Sequence, residues 1–391
     1  MKTVMVSKNY GLLRLYNFFY DFRPYEAIAV LYYAQVTGSY ALGLTVFAIA
    51  SVAGAAFELP TGVLSDRVGR KVTVVLGSLS SIAAISLYAV GGSFLWLAIG
   101  AVFNGLTRAF LSGNNDALLY DSLKQQGKSD EFADKLGKAN SMFELGLAFS
   151  ALAAAGLATI SLQAVMIASI VPQVICALIA VRFIEPKIHD DKNDSNVYNH
   201  LKEALHTFRA NAKLRKLSAA YVIDYAIGET YYQFKPAFIA TLWPAWALGI
   251  SRALDNGLGF LGYHFAGRIV GRFGALKTLM WQQVIGRLNV LLAAAFPNPV
   301  SPLLLNANSF FYGVGETANG DLLHKEFTDR QRATMGSLNS FIGSLAYALV
   351  TVLVGLIADG FGPAKTIVVL GIAWISVVFI YRNLFVKHNK D

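Results

Sequence analysis

The sequence has a single cysteine, Cys176, set inside an apolar run. It therefore carries neither a disulfide framework nor a cysteine-based metal site. Charge is also scarce: 15% of the 391 residues, against about 25% in a soluble globular chain. That deficit excludes a disordered chain and an ordinary cytosolic protein. There is no Gly-x-x-x-x-Gly-Lys-Ser/Thr loop to cradle a nucleotide, which argues against ATP as a drive. There is no His-Glu-x-x-His helix, and His264 and His324 stand in different apolar runs. No metal, no cofactor and no enzyme activity are expected, because no nucleophile–base or ligand set can be named. No small-residue cleavage site follows the first apolar segment, which reads as a retained span and not as a leader.

What the sequence has in quantity is apolar surface: 55% hydrophobic residues and a mean hydropathy of +0.48. A membrane helix takes about 20 mostly apolar residues, so twelve would use roughly 240 and leave about 150 for loops. Apolar runs fall at 10–37, 41–64, 72–90, 93–122, 138–160 and 162–184, then at 217–242, 246–270, 275–295, 300–324, 334–358 and 363–385. They are long and continuous, which fits helices and not the alternating strands of a barrel. The expectation is an all-α membrane protein of twelve transmembrane helices. Two six-helix halves, 1–184 and 217–391, are joined by a polar linker, 185–216. Within the linker Leu201, Leu205, Phe208 and Ala212 recur at helical spacing, as in an amphipathic surface helix.

Charge sets the orientation. Twelve spans put both termini on one side. The stretches on that side run from Lys2, Lys8 and Arg14, through the second–third, fourth–fifth and central loops, to Lys387 and Lys390. They hold 25 of the 33 Lys and Arg residues. The opposite loops, such as Gly38-Ser39-Tyr40 and Gly91-Gly92-Ser93, hold almost none. The positive-inside rule then makes both termini and the linker cytoplasmic, in the inner membrane of the cell. The net charge of +9 belongs to these loops, and no nucleic-acid partner is expected.

The halves repeat weakly. Gly62-Val-Leu-Ser-Asp66-Arg67-Val-Gly69-Arg70-Lys71 and Gly267-Arg-Ile-Val-Gly271-Arg272-Phe-Gly274 are offset by 205 residues. Asp21 and Glu26 in the first span match Asp224 and Glu229 in the seventh at an offset of 203. Duplicated six-helix halves are a transporter architecture.

The segment Gly62–Lys71 resembles the loop signature of the major facilitator superfamily, Gly-x-x-x-Asp-Arg-x-Gly-Arg-Lys, and lies between the second and third spans as it does there. Phe57-Glu58-Leu59-Pro60-Thr61 and Ser112–Asp121 are similar to a bacterial, drug-efflux-like branch. Two marks of that family's drug antiporters are missing: Gly146–Gly156 has no proline, and Arg108 follows Gly105 where an arginine would precede it. The resemblance implies two bundles that rock about a central site. It also implies a cytoplasmic gate of Gly62, Asp66, Arg67, Gly69 and Arg70. Asp66 would meet the start of the eleventh span near Thr334, and Arg70 would pair with Asp121 or Asp116.

Ionisable residues within spans are costly, about 2.5–3.5 kcal/mol each on insertion scales, and are functional candidates by default. Nine acids (Asp21, Glu26, Asp116, Glu144, Asp224, Glu229, Asp255, Glu316, Asp321) face five bases (Arg23, Arg108, Lys235, Arg252, Arg287). Most lie on the spans that line the central cavity in the family; Arg287, on the ninth, is the exception. Asp21 or Glu26 is expected to pair with Arg108. A carboxyl buried without a partner holds a proton and can release it, so Glu229, Glu316, Asp21, Glu26 and Asp224 are the proton-coupling candidates. Tyr20, Tyr25, Tyr231 and Tyr232 stand beside the acids. With Arg108 and Asp255 they are the candidate solute contacts, since aromatic faces take organic cations. Static ion pairs that fix helix packing are the plainer reading for any one of these charges.

The expected function is proton-coupled efflux of a small cationic or zwitterionic organic solute by a monomer held in membrane lipid. Proton-driven uptake of a nutrient or metal chelate is the alternative. A non-transporting membrane receptor is the alternative of another class, though it would not need matched charges in both halves.

Overall fold

A computed structural model describes residues 2–186, 212–326 and 329–385. The described residues are mostly helical, with no strand among them. Two compact units divide it: Met1–Asp191 with Ala245–Ala253, and Lys192–Pro244 with Leu254–Asp391. The amphipathic helix expected in the linker lies outside the described residues. Among the described residues, six helical segments are long and apolar enough to cross a membrane on length and composition alone, including Tyr40–Val68, Arg70–Val90 and Phe94–Lys124. The first, seventh, eighth and tenth spans, which carry most of the intramembrane charges, are not among the six, and neither is the ninth with Arg287.

The duplication is visible in the backbone of each unit. Gly69 (φ 96°) caps the third span, Arg70–Val90, and Gly274 (φ 82°) caps the ninth, Ala275–Ala295. These positions are 205 residues apart, and both need a backbone that only glycine adopts at no cost. The second and fourth spans meet glycine to glycine: a Cβ on Gly105 would stand 2.6 Å from the Gly54 nitrogen. The eighth and tenth do the same, with a Cβ on Gly313 falling 3.0 Å from the Gly259 carbonyl oxygen. Small residues let membrane helices approach backbone to backbone, where dispersion and not hydrophobicity holds them.

The first span is not one helix. It runs as Lys2–Asp21, a 3-10 turn Pro24–Ala27, and Ala29–Thr37. Pro24 has no N–H, and proline pushes Arg23 before it out of the helical region (φ −125°, ψ 78°). The Tyr20 carbonyl thereby loses its donor. The Phe19 carbonyl loses the Arg23 N–H, which turns to the Asp21 carbonyl at 2.9 Å, and keeps only the Phe22 N–H at 3.3 Å. Unsatisfied backbone at membrane depth must find partners in the protein. The fully buried Gln173 side chain of the sixth span donates to both carbonyls, at 3.5 and 3.4 Å. The Tyr25 N–H donates to the Ser169 hydroxyl at 3.0 Å. Ser169 itself marks a break in the sixth span, between Leu162–Ala168 and Ile170–Ala180. On the other side Gly146 of the fifth span presses on this turn, since a Cβ there would fall 2.3 Å from the Phe18 carbonyl oxygen. The seventh span, the counterpart in the second unit, is unbroken from Ala212 to Ile239.

Candidate functional site

Charge collects at three places, each within one unit. The first is the break in the first span. Arg23 lies 2.7 Å from Asp21 and 3.1 Å from Glu26, with its guanidinium 4.8 Å above the Tyr20 ring. Tyr25 is buried, and its hydroxyl accepts from Asn104 of the fourth span at 3.2 Å. This corrects the expected pairing. Asp21 and Glu26 are held by Arg23, their own near neighbour, and not by Arg108. The turn at Pro24 folds three successive charges onto one another. Arg108 meanwhile sits exposed in the last turn of Phe94–Leu111, ahead of the Ser112–Gly113 break. The fourth span is therefore two helices, the second being Asn114–Lys124.

The second place lies among the seventh, eighth, ninth, tenth and twelfth spans. Lys235 and Asp255 form an ion pair with side chains 4% and 3% exposed. Ser309 of the tenth span donates to the other Asp255 oxygen at 2.9 Å, and the Asn306 amide oxygen is 3.4 Å from the Lys235 ammonium. Asp224 accepts from Arg287 at 2.9 Å and from the Trp374 indole N–H at 2.6 Å. Arg287 also donates to Gln283 at 2.6 Å and stacks 3.5 Å above the Trp374 ring. The ninth-span charge is thus the counter-ion of a seventh-span acid, so its position off the cavity-lining spans has a reason. Asp255 and Tyr231, expected at the solute, are buried instead. Asp255 is occupied by Lys235 and Ser309, and Tyr231 packs on Trp374 at 5.4 Å between ring centres. Tyr232 is half-buried beside them.

Two acids of this unit differ from the rest. Glu229 accepts from its neighbour Gln233 at 2.8 Å, and Glu316 lies within electrostatic reach of Asp224. Both are half-buried, and neither has a basic partner among the described residues.

The third place is the loop between the second and third spans. Arg70 is 3.7 Å from Asp121, 3.5 Å from Asp66, and donates to Ser65 at 3.1 Å. Ser65 in turn donates to Asn114 at 2.9 Å, and Asn114 returns a bond to the Arg70 carbonyl at 2.9 Å. Asp116 is exposed and takes no part; Gly62 and Arg67 are exposed as well. Thr334, the expected neighbour of Asp66, lies outside the residues whose side chains are described. Sequence reasoning missed Glu185, just past the sixth span. Its two oxygens accept the Arg70 and Lys71 backbone N–H groups, both at 2.7 Å. A carboxylate there meets the unsatisfied donors and positive end of the third span's helix. The one signal was an acid directly before Pro186, at the end of an apolar run.

Paired charges buried in helix crossings, two unpaired carboxyls and a basic loop suit a solute carrier, and the comparisons with known proteins agree. A family model described as Major Facilitator Superfamily matches residues 19–346. A Bacillus subtilis (strain 168) protein described as the uncharacterized MFS-type transporter YxaM is 21% identical over 361 residues, 85% of each chain. Among solved structures, the nucleoside transporter NupG superposes with a TM-score of 0.82 at 14% identity, covering 96% of this chain and 99% of its own. A bacterial homologue of the human lysosomal transporter Spinster gives 0.71 at 15% identity, covering 99% and 98%. Those likenesses carry the twelve-helix fold. The chain is a multi-pass membrane transporter of small molecules, not an enzyme, and it belongs to the Major Facilitator Superfamily.

Proposed function

We propose that this transporter exports a small organic cation or zwitterion in exchange for protons. In this reading it works as a monomer in the inner membrane, by alternating access of two six-helix halves, 1–184 and 217–391. The linker 185–216 and both termini are cytoplasmic. The observation that carries the proton coupling is the contrast within the second unit. Asp224 and Asp255 are each held by a base, while Glu229 and Glu316 have none among the described residues. A carboxyl at membrane depth without a counter-ion takes a proton in preference to a charge, and can hand it on when its surroundings change. The excess of acids over bases in the spans, with tyrosines beside them, favours a solute bearing positive charge. The basic loops support the orientation. Export rests on the efflux-like segments Phe57–Thr61 and Ser112–Asp121.

Substrate-induced proton flux in proteoliposomes tests this reading, with cations, zwitterions and anions added in turn. The variants Glu229→Gln, Glu316→Gln and Arg108→Ala are run beside the parent protein. Proton release on adding a cationic compound, lost in Glu229→Gln, is the expected result. Solute movement with no proton flux, unchanged in the variants, would overturn the coupling. Movement of solute together with protons would replace export by uptake.

A further inference from the structure

We infer that Arg23 sets the charge of the candidate solute site in the first unit. With Arg23 in place the site carries one surplus negative charge, and it takes one proton or one singly charged ammonium group. On an unbroken helix residues 21 and 26 would point about 140° apart around the axis. The break at Pro24 brings both onto one guanidinium, at 2.7 and 3.1 Å. Two carboxylates against one guanidinium leave a charge of minus one.

The groups facing them do not change that sum. Glu144 of the fifth span acts on Asp21 and Arg108 of the fourth acts on Tyr20, one charge of each sign. Cys176 of the sixth span, Tyr20 and Tyr25 are neutral at ordinary pH. The nearby Asn104, Ser169 and Gln173 do not ionise. The half-buried Tyr20 ring already carries the Arg23 guanidinium, 4.8 Å above it, and adds no charge of its own. The Arg23 Nε–H, buried and without an acceptor among the described residues, leaves one donor for a polar atom of the solute. Arg23 is thus a specificity-determining residue: it fixes valence, while the acids supply attraction. The solute half of this inference rests on the proposed function; the proton half does not.

Infrared spectra of the full-length protein in lipid, recorded at pH 8 and at pH 5 and each compared with Asp21→Asn/Glu26→Gln at the same pH, count protonated carboxyls at this site by their C=O band. The parent protein is expected to show none at pH 8 and one at pH 5. Arg23→Gln is expected to show one already at pH 8 and two at pH 5. Arg23→Lys, which keeps the charge, is expected to match the parent. Spectra of Arg23→Gln that match the parent would overturn the inference.

Binding of benzylamine and p-xylylenediamine, one and two ammonium groups on the same ring, reads the solute half. At pH 8 preference is expected to shift about tenfold toward the dication in Arg23→Gln, as the second ammonium group displaces the proton that the freed carboxyl otherwise holds. An unchanged ratio would overturn it. If the parent protein binds neither amine, the cationic-solute reading fails, and the infrared count still decides the role of Arg23.

Discussion

Replacing Lys235 with methionine removes one partner of the most deeply buried ion pair among the described residues of the second unit. Asp255, its side chain 3% exposed, keeps the Ser309 hydroxyl at 2.9 Å but loses its counter-ion. Leaving a buried charge uncompensated costs about 3–5 kcal/mol. At roughly 2–4 °C per kcal/mol for a bundle of this size, the thermal midpoint falls by about 10 °C. Removing both charges, in Lys235→Met/Asp255→Leu, is a different perturbation. Buried pairs exchanged for apolar side chains of similar volume are often neutral or stabilising, because desolvation cancels the Coulomb gain. Ser309 loses an acceptor worth about 1 kcal/mol and can turn to the carbonyl one helical turn back. The double variant should therefore return to within a few degrees of the parent. The assay is a fixed-rate thermal scan of purified protein in detergent, read by intrinsic fluorescence, because unfolding of such proteins is seldom reversible. A double variant that falls as far as the single one would refute the reasoning. The cost would then lie in packing around Asn306 and Ser309, not in the unpaired charge. Recovered stability with lost transport would give the pair a role in the transport cycle.

The other predictions concern the two breaks and the loops. Gln173→Leu strands the Tyr20 carbonyl and leaves the Phe19 carbonyl only the Phe22 N–H at 3.3 Å, a buried polar group without a partner costing about 1–3 kcal/mol; the thermal midpoint should fall by several degrees, and Gln173→Met, of similar length but with no donor, should not restore it. Glu185→Ala uncaps the third span and should cost about 1–2 kcal/mol, with part regained in Glu185→Gln, read by the same scan. In the fourth–fifth loop, hydrogen bonds from the Lys128 and Lys135 ammonium groups hold the Glu131 carboxyl below the usual carboxylate range. A depressed folded-state value means the contribution is full above the ordinary glutamate range and lost as pH falls through the lowered value. Protection factors of residues 128–135, taken from hydrogen exchange corrected for its intrinsic pH dependence, should fall below that range relative to neutral pH, and Glu131→Gln should abolish the difference.

The spans were legible because a hydrocarbon slab demands about 20 apolar residues, a signal that averaging over a window preserves. The same averaging hid the breaks. Phe22-Arg23-Pro24 spells a helix stop in three letters, yet it sits inside a run that is apolar on either side. Ser112-Gly113 in the fourth span was passed over for the same reason. The Arg70–Asp121 approach at 3.7 Å could be named in advance because a motif fixed one partner and span order limited the other. No such constraint pointed to Glu185, which reaches the loop across more than a hundred residues of chain. Glu185 acts through backbone N–H groups, which no residue pattern records.

The repeated acids make the point sharper. Asp21 and Asp224 occupy equivalent places in the two halves, and sequence treats them alike. In the first unit Pro24 breaks the helix, and Asp21 finds Arg23 two residues away. In the second unit the helix runs on to Ile239, so Asp224 projects sideways and finds Arg287 and Trp374 on two other spans. One acid is tied to its own segment and can move with it; the other is tied across three helices and resists any change in their packing. A duplicated carboxyl has thus become a local charge in one half and a structural clamp in the other. The residue that decided the difference is a proline with no counterpart at the matching position, where Ile227 continues the helix.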